Sequence, residues 1–380
     1  METIYLDHAA TTPMAKDVLA EMTAAMATVY GNASSIHTVG REARKHLDAA
    51  RTILAKQIGA TPTEIILTSG GTEADNMAIF GTAYARQHEG KHIITTEIEH
   101  HAVLHACEKL ESEGFTVTYL PVDSTGRIAV RDVEKALTED TILVTIMYGN
   151  NEVGTIQPIQ EIGALLKNHS ATFHTDAVQA FGIETLNVGE LGVDLLSVSS
   201  HKINGPKGIG FLYAKTGTKV DSLLYGGSQE KKRRAGTENI PAAIGFAKAA
   251  ELATSNREEK RTKYAHYKAL LIEQFELANI DFSVNGHSEA VLPHVLNVTF
   301  PGTDVESFLI NLDMAGVCVS SGSACTAGSI DPSHVLVSMF GKESPVLRSA
   351  IRFSFGEGLT DELVIEAGKR TAEIVKRLVK

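Results

Sequence analysis

Residues 194–214 read DLLSVSSHKINGPKGIGFLYA. An apolar run ends in Ser199, Ser200, His201 and Lys202, a turn rich in glycine and proline comes next, and a second apolar run begins. Two short buried strands separated by such a turn are the structure this pattern predicts. A lysine at the end of the first strand is costly to bury charged. It either snorkels to water or is placed there for its amine.

The flanking sequence repeats the pattern. Residues 64–85 read as strand, glycine turn and helix, and 91–96, 116–122, 141–147, 171–177 and 193–199 read as short buried strands. Helical patterns lie between several of them, as at 41–59 and 103–114. Alternation of this kind predicts an α/β layered fold built on a largely parallel sheet. The charged run 255–278 reads as a long amphipathic helix. Beyond it the chain turns strand-rich with helices on one side, which sets a domain boundary near residue 255.

The bulk composition excludes several classes. The chain has 380 residues, 43% apolar and 21% charged, with a net charge of -11, an ordinary soluble balance that offers no nucleic-acid surface. One basic run, EKKRRAGTEN at 230–239, interrupts that acidity and reads equally as a solvated loop. No stretch reaches the roughly 18 apolar residues that suggest a membrane span, and the start lacks a signal-peptide pattern. Three cysteines, Cys107, Cys318 and Cys325, give no disulfide framework and predict a cytoplasmic protein.

The chemistry-bearing residues gather at predicted strand ends. In TSGGTEADN a strand leads through glycines to a helix start at Thr72, where exposed N–H groups and the helix dipole suit a phosphate. Asp176 ends the strand before VQAFG and either caps a helix there or pairs with a cationic ring nitrogen. Lys202 ends the next strand, so a parallel sheet carries both residues on the edge where α/β proteins bind ligands. An acid, a lysine and a phosphate cup on one edge match the needs of pyridoxal 5'-phosphate. On that reading Lys202 forms an imine and moves protons, with Ser199 and His201 toward the phosphate.

Three further elements carry two readings each. His100 and His101 come after a strand, and one imidazole suits stacking on a flat ring; the spacing gives no zinc site. Asn150 and Asn151 form a turn or reach a cofactor oxygen. Arg352 lies among apolar residues in SAIRFSFG and needs an anion, either a structural carboxylate or a substrate carboxylate. Cys318 reads as core and Cys107 as helix filler. Cys325 sits in SSGSACTAGS, a loop without bulky side chains, where an accessible thiol is either idle or a nucleophile.

Taken together, YLDHAATT, GNASSIH, TSGGTEADN, EHHAV, NNEVGTIQP, HTDAVQ, SSHKINGPKGIG, RRAGTEN and SSGSACTAG resemble the cysteine desulfurases, pyridoxal-phosphate enzymes of the aminotransferase class V family. The resemblance spans nearly the whole chain, and the SSGSAC loop is similar to that of group I, the NifS/IscS-like members. It implies fold type I: a large domain with a mixed, mostly parallel sheet between helices at 14–255, and a smaller α+β domain from 1–13 and 256–380. The small domain would carry a mobile catalytic-cysteine loop at about 318–332.

The resemblance also implies roles. Lys202 would bind the cofactor as an imine, Asp176 would pair with the ring nitrogen, Gln179 would meet the phenolic oxygen, and His100 would stack on the ring and take part in proton transfer. Thr72, Ser199 and His201 would hold the phosphate, with Thr237 reaching it from the second subunit of a homodimer. Asn151 would lie beside the cofactor, while Arg352 and Asn32 would take the substrate carboxylate. Cys325 would attack the sulfur of L-cysteine and carry a persulfide, with a transient role as an iron–sulfur ligand left open; no other metal site is implied. The sulfur acceptor would be an iron–sulfur scaffold protein or a transfer-RNA thiolase, with no direct nucleic-acid or membrane contact. A selenocysteine lyase and an aminotransferase are rivals within the family, and a non-catalytic sulfur-relay protein is a rival outside it. An aminotransferase would not need Cys325, and a relay protein would not need Lys202.

Overall fold

The structure, a computed structural model, describes residues 2–322 and 332–379. Its strands in chain order are β1 (Ile4–Tyr5), β2 (Ile65–Thr68), β3 (His92–Thr96), β4 (Thr116–Leu120), β5 (Thr141–Thr145) and β6 (Thr172–Asp176). They continue with β7 (Leu195–Ser199), β8 (Gly210–Ala214), β9 (Ser283–Asn285), β10 (Val295–Thr299), β11 (Val317–Cys318) and β12 (Ala350–Ser354).

Seven strands form the main sheet in the order β2-β8-β7-β6-β5-β3-β4. All neighbours are parallel except β8, which runs antiparallel to β2 and to β7. The sheet is therefore mixed and mostly parallel: the apolar runs predicted the largely parallel part, and the resemblance implied the mixed one. The β7–β8 hairpin is the stretch 194–214: its turn is too short to hold the crossover helix that a parallel return requires. The strands β2, β3, β5, β6 and β8 are buried along nearly their whole length. That comes from helices covering both faces.

The helix Gly71–Arg86 lies on this sheet and buries Ala74, Met77, Ala78 and Ala83. On Thr38–Lys56 the buried Ala43, Leu47, Ala50 and Leu54 recur at spacings of three and four, one face of a helix. The main core gathers Phe173, Phe181, Phe211 and Phe246 beneath the sheet.

A second core joins Leu6, Phe275, Phe300, Phe308, Phe353 and Phe355. It sits on the antiparallel sheet β12-β10-β9. The helices Arg257–Leu277 and Asp361–Leu378 pack on each other beside it. The latter starts with Thr360 accepting the Leu363 N–H, has Asp361 and Glu362 in its first turn and Lys376 and Arg377 in its last, matching the helix dipole at both ends. The N-terminal segment belongs to this part, since β1 pairs with β11 and Leu6 is fully buried. Cys318, read from sequence as core, is half-buried on the two-residue β11.

Phe275 sits edge-on to Phe300 at 5.2 Å and to Phe282 at 5.5 Å. Phe275→Ala should cost about 3–5 kcal/mol of stability, read as a lower urea midpoint; an unchanged midpoint would mean that this ring is not part of the core's support.

Candidate active site

Strand ends of the main sheet build a cavity of about 390 Å³. Thr72 comes after β2, His100 after β3 and Asn151 after β5, while Asp176 closes β6, Ser199 closes β7 and His201 and Lys202 lie in the short 3-10 turn after it; all line it, as do Gln179 and Arg352. A larger groove of about 850 Å³ opens elsewhere, around Lys167, Asp194 and Lys215, and none of the sequence-predicted site residues lines it.

The turn before Thr72 depends on two glycines. Gly70 has φ +154° and ψ -172°, a backbone region that side chains disfavour. Across from it, a Cβ on Gly210 would lie 2.8 Å from the Gly70 Cα and 2.4 Å from the Val198 carbonyl oxygen. The helix therefore begins close against β8, with the N–H groups of its first turn beside Ser199 and His201. Glu73 steadies the turn by accepting the Ser69 N–H at 2.7 Å and pairing with Arg234 at 2.8 Å.

Lys202 donates from Nζ to the carbonyls of Ala9 at 2.5 Å and Ala10 at 2.7 Å. Gln179 Nε2 donates to the same Ala9 carbonyl at 3.0 Å, and its Oε1 lies 3.3 Å from His294 Nε2. Asn150 and Asn151 divide the two roles read for them. Asn150 is buried and ties the turn by accepting the N–H groups of Glu152 and Val153, whereas Asn151 lines the cavity.

Burial sets the charge states. The pKa of His100 is pushed down to about 4 by burial, then by Lys202 and its neighbouring histidines. His201 is likewise lowered to about 4 by burial and Lys202. Asp176 is raised by burial, with the Val178 N–H and Lys202 opposing the shift. Asp75, also buried in the cavity wall, is raised by burial and then by Asp176. Two buried carboxyls this close share their titration, and a cation between them and the cavity would restore their charge.

These features fit pyridoxal phosphate. Asp176 Oδ1 accepts the Val178 N–H at 2.8 Å, which fixes the carboxyl in the cavity wall where it suits a cationic ring nitrogen. The helix start at Gly71 and Thr72 suits the phosphate, and neutral His100 suits a ring face.

Arg352 is 3% exposed on β12. Its Nη1 donates to the Asn151 carbonyl at 2.9 Å, its Nη2 to Asp7 Oδ1 at 2.8 Å, and its Nε has no partner among the described residues. Both sequence readings of this arginine thus have a structural counterpart, a carboxylate partner and a free donor.

Three predicted residues stand apart. Asn32 is exposed and accepts the Ser34 N–H, away from the cavity wall. Thr237 is exposed and lines a separate small depression with Ser69 and Arg234. Cys325 lies outside the described residues. Among those described, no group of three His, Cys, Asp or Glu side chains is arranged to hold a metal, although His101 stacks on His105 at 5.0 Å and lies tilted against His334 at 4.7 Å.

Sequence reading missed Asp75, Asp7, and the carbonyls of Ala9 and Ala10. Asp75 lies three residues after Thr72 on the same helix, a spacing that puts both on one face. It missed Glu230 too, which is buried and grips Arg51 through both oxygens at 2.7 Å. That pair anchors the basic run, where Glu230, Lys231 and Lys232 all have positive φ.

Beneath the cavity, His174 bonds Thr145 and Ser197 and is pushed by burial from 6.5 to about 3. Its depressed pKa contributes stability in full above pH 6.5, lost progressively as pH falls toward the folded value. His174→Gln should flatten the pH dependence of the unfolding free energy by about 1.4 kcal/mol per pH unit between about pH 6 and 4. Urea denaturation of the cofactor-free protein measures it; parallel slopes for parent and variant would refute a neutral His174.

Residues 4–364 match the family model described as Aminotransferase class-V. The chain is 60% identical over 378 residues, and over the full length of both, to "Putative cysteine desulfurase IscS 1" of Bacillus subtilis (strain 168). It is 46% identical to "Cysteine desulfurase IscS" of Methanosarcina thermophila, covering 99% of this chain and 92% of that one. Among solved structures, a "NIFS-like protein" superposes with a TM-score of 0.92 at 36% identity, covering 99% of this chain and 100% of that one. "SspA in complex with cysteine" superposes with a TM-score of 0.80 at 37% identity, covering 93% of this chain and 99% of that one. The chain belongs to the aminotransferase class-V family, and within it to the cysteine desulfurases.

Proposed function

We propose that this protein is a pyridoxal-phosphate-dependent cysteine desulfurase that converts L-cysteine to L-alanine and leaves the sulfur as a persulfide on Cys325. The observation that carries the reading is convergence: Lys202, Asp176, His100 and Arg352 share one cavity with Gly322, three residues ahead of Cys325 in the sequence. When bound, the cofactor supplies an electron sink for the substrate's α-carbon.

The chain's own groups do the rest. The first turn of the helix Gly71–Arg86, with Thr72, Ser199 and His201, would hold the phosphate, while Asp176 would keep a proton on the ring nitrogen and Gln179 would meet the phenolic oxygen. Arg352 orients the substrate carboxylate. Lys202 removes the proton at Cα, and neutral His100 covers the ring and is able to accept a proton. The Cys325 thiolate attacks the substrate sulfur; the carbon–sulfur bond breaks, a sulfur–sulfur bond forms, Cβ takes a proton, and Lys202 returns a proton to Cα to give alanine. Cysteine and one thiol become alanine and one persulfide, so no external oxidant enters. A sulfur-acceptor protein serving iron–sulfur cluster assembly or transfer-RNA thiolation then takes the persulfide sulfur.

The working unit in this reading is a homodimer, with Thr237 reaching the partner's phosphate. Its support is large apolar side chains that a monomer would leave in water: Ile36 is 90% exposed, Tyr225 88% and Tyr30 78%. Thr237 and Asn32 also lie off their own chain's cavity. No helix among the described residues is long and apolar enough to cross a membrane.

The test is alanine release from L-cysteine, with a reductant, by the purified yellow protein. Cys325→Ala should lose alanine formation by several orders of magnitude and keep the colour, whereas Lys202→Ala should lose the covalent cofactor spectrum. Equal alanine from parent and Cys325→Ala would remove Cys325 as nucleophile. For the assembly, Ile36→Glu with Tyr225→Glu should halve the mass seen by light scattering and weaken cofactor binding; a dimer that persists with full cofactor affinity would exclude this face.

A further inference from the structure

Arg352 is a buried cation that has a carboxylate partner without any substrate. A guanidinium carries five N–H donors. One goes to the Asn151 carbonyl and one to Asp7 Oδ1. Among the described residues the Nε–H has no partner. An incoming carboxylate can therefore bind Arg352 without displacing Asp7.

Asp7 is firmly placed. Its carbonyl accepts the Ala10 N–H at 3.0 Å and the Tyr5 hydroxyl at 3.0 Å. Its backbone also bridges to Ser354, two residues beyond Arg352 on β12. The carboxylate stays beside the guanidinium as part of the fold. The Arg352 side chain is 4% exposed and that of Asp7 19%, so water screens the pair weakly.

We infer that Asp7 is a resident counter-ion that sets, and deliberately lowers, the affinity of Arg352 for the α-carboxylate of substrate and product. The inference rests on the reading of Arg352 as the carboxylate clamp. A lone guanidinium in a buried cavity is costly, and Asp7 offsets that cost while the site is empty. The same charge then faces any carboxylate that arrives. The ligand meets a neutral pair in place of a free cation, and lies near a like charge.

The chemistry gives this a purpose. L-Cysteine and L-alanine share the carboxylate and the amine and differ by one sulfur, so a clamp on the carboxylate holds both alike. Binding that is uniform along the reaction does not speed chemistry, and it slows the exit of alanine. Asp7 is thus a positioning residue that acts on ligand exchange through Arg352.

Asp7→Asn keeps the shape and an acceptor oxygen but removes the charge. Alanine binding can be titrated through the change it causes in the visible absorbance of the holoenzyme, and KM for L-cysteine measured in the same buffer. We expect the alanine Kd and KM to fall together by about tenfold, while the unliganded protein melts at a lower temperature. A purely structural role would lower stability and weaken binding, the opposite sign for affinity. Asp7→Ser should move both constants the same way. An alanine Kd that rises or stays unchanged in both variants overturns the inference. Arg352→Gln separates the two layers: if it leaves alanine affinity intact, Arg352 is not the clamp, and the assignment of Arg352 falls before that of Asp7.

Discussion

The amine of Lys202 rests on the carbonyls of Ala9 and Ala10, and much of the architecture exists to bring those groups together. Lys202 comes from the main sheet and the two alanines from the N-terminal segment. That segment is fixed at one end by β1 on β11 and by Leu6 in the second core. At its other end Thr12 bonds the His201 carbonyl at 2.7 Å and accepts the Asn204 N–H at 2.8 Å. Between these anchors lies Asp7 on Arg352. A strap about ten residues long thus ties the two cores across the cavity and supplies acceptors to both of its cations.

That arrangement reflects the cost of charge at a sheet edge. Parallel strands bring their ends to one place, and apolar strands make that place dry. Ionised groups there must be paired or neutralised. The two cations are paired by the strap. The imidazoles are neutralised, since burial holds His8, His100, His174, His201 and His294 well below their usual range. The carboxyls go the other way, with Glu99 pushed up to about 8 and Glu152 to about 7 by burial. The site thus offers neutral imidazoles and paired cations to a cofactor that brings its own anion and cation.

Much of this was legible in the residues. Apolar runs of five to seven located the strands within one or two positions, because buried parallel strands need no alternation. Lys202 and Asp176 were legible because each ends such a run, and strand ends share an edge. The antiparallel course of β8 was not read from 194–214, although its turn is too short for a crossover. Asp7 and Asp75 were missed for a different reason. Each carries weight through a partner distant in sequence, Arg352 for one and Asp176 for the other, and spacing along the chain does not encode such pairs. Asn32 and Thr237 show the same limit from the other side: their place in the motif was plain, but in one chain they lie off the cavity.

The basic run joins these arguments. Three successive residues in the left-handed region, none of them glycine, cost about 1–3 kcal/mol each. Such a backbone persists only where its surroundings over-determine it. Glu230 does so from inside, buried and bonded to Arg51 and to the Leu67 N–H at 3.2 Å. Arg234 does so from outside through Glu73, whose other bond fixes Ser69 ahead of the phosphate turn. The loop and the turn are therefore one braced unit, and Thr237, a few residues further on, is exposed and lines a separate depression. On the homodimer reading proposed above, this bracing would hold the loop that carries Thr237 ready for a neighbouring subunit.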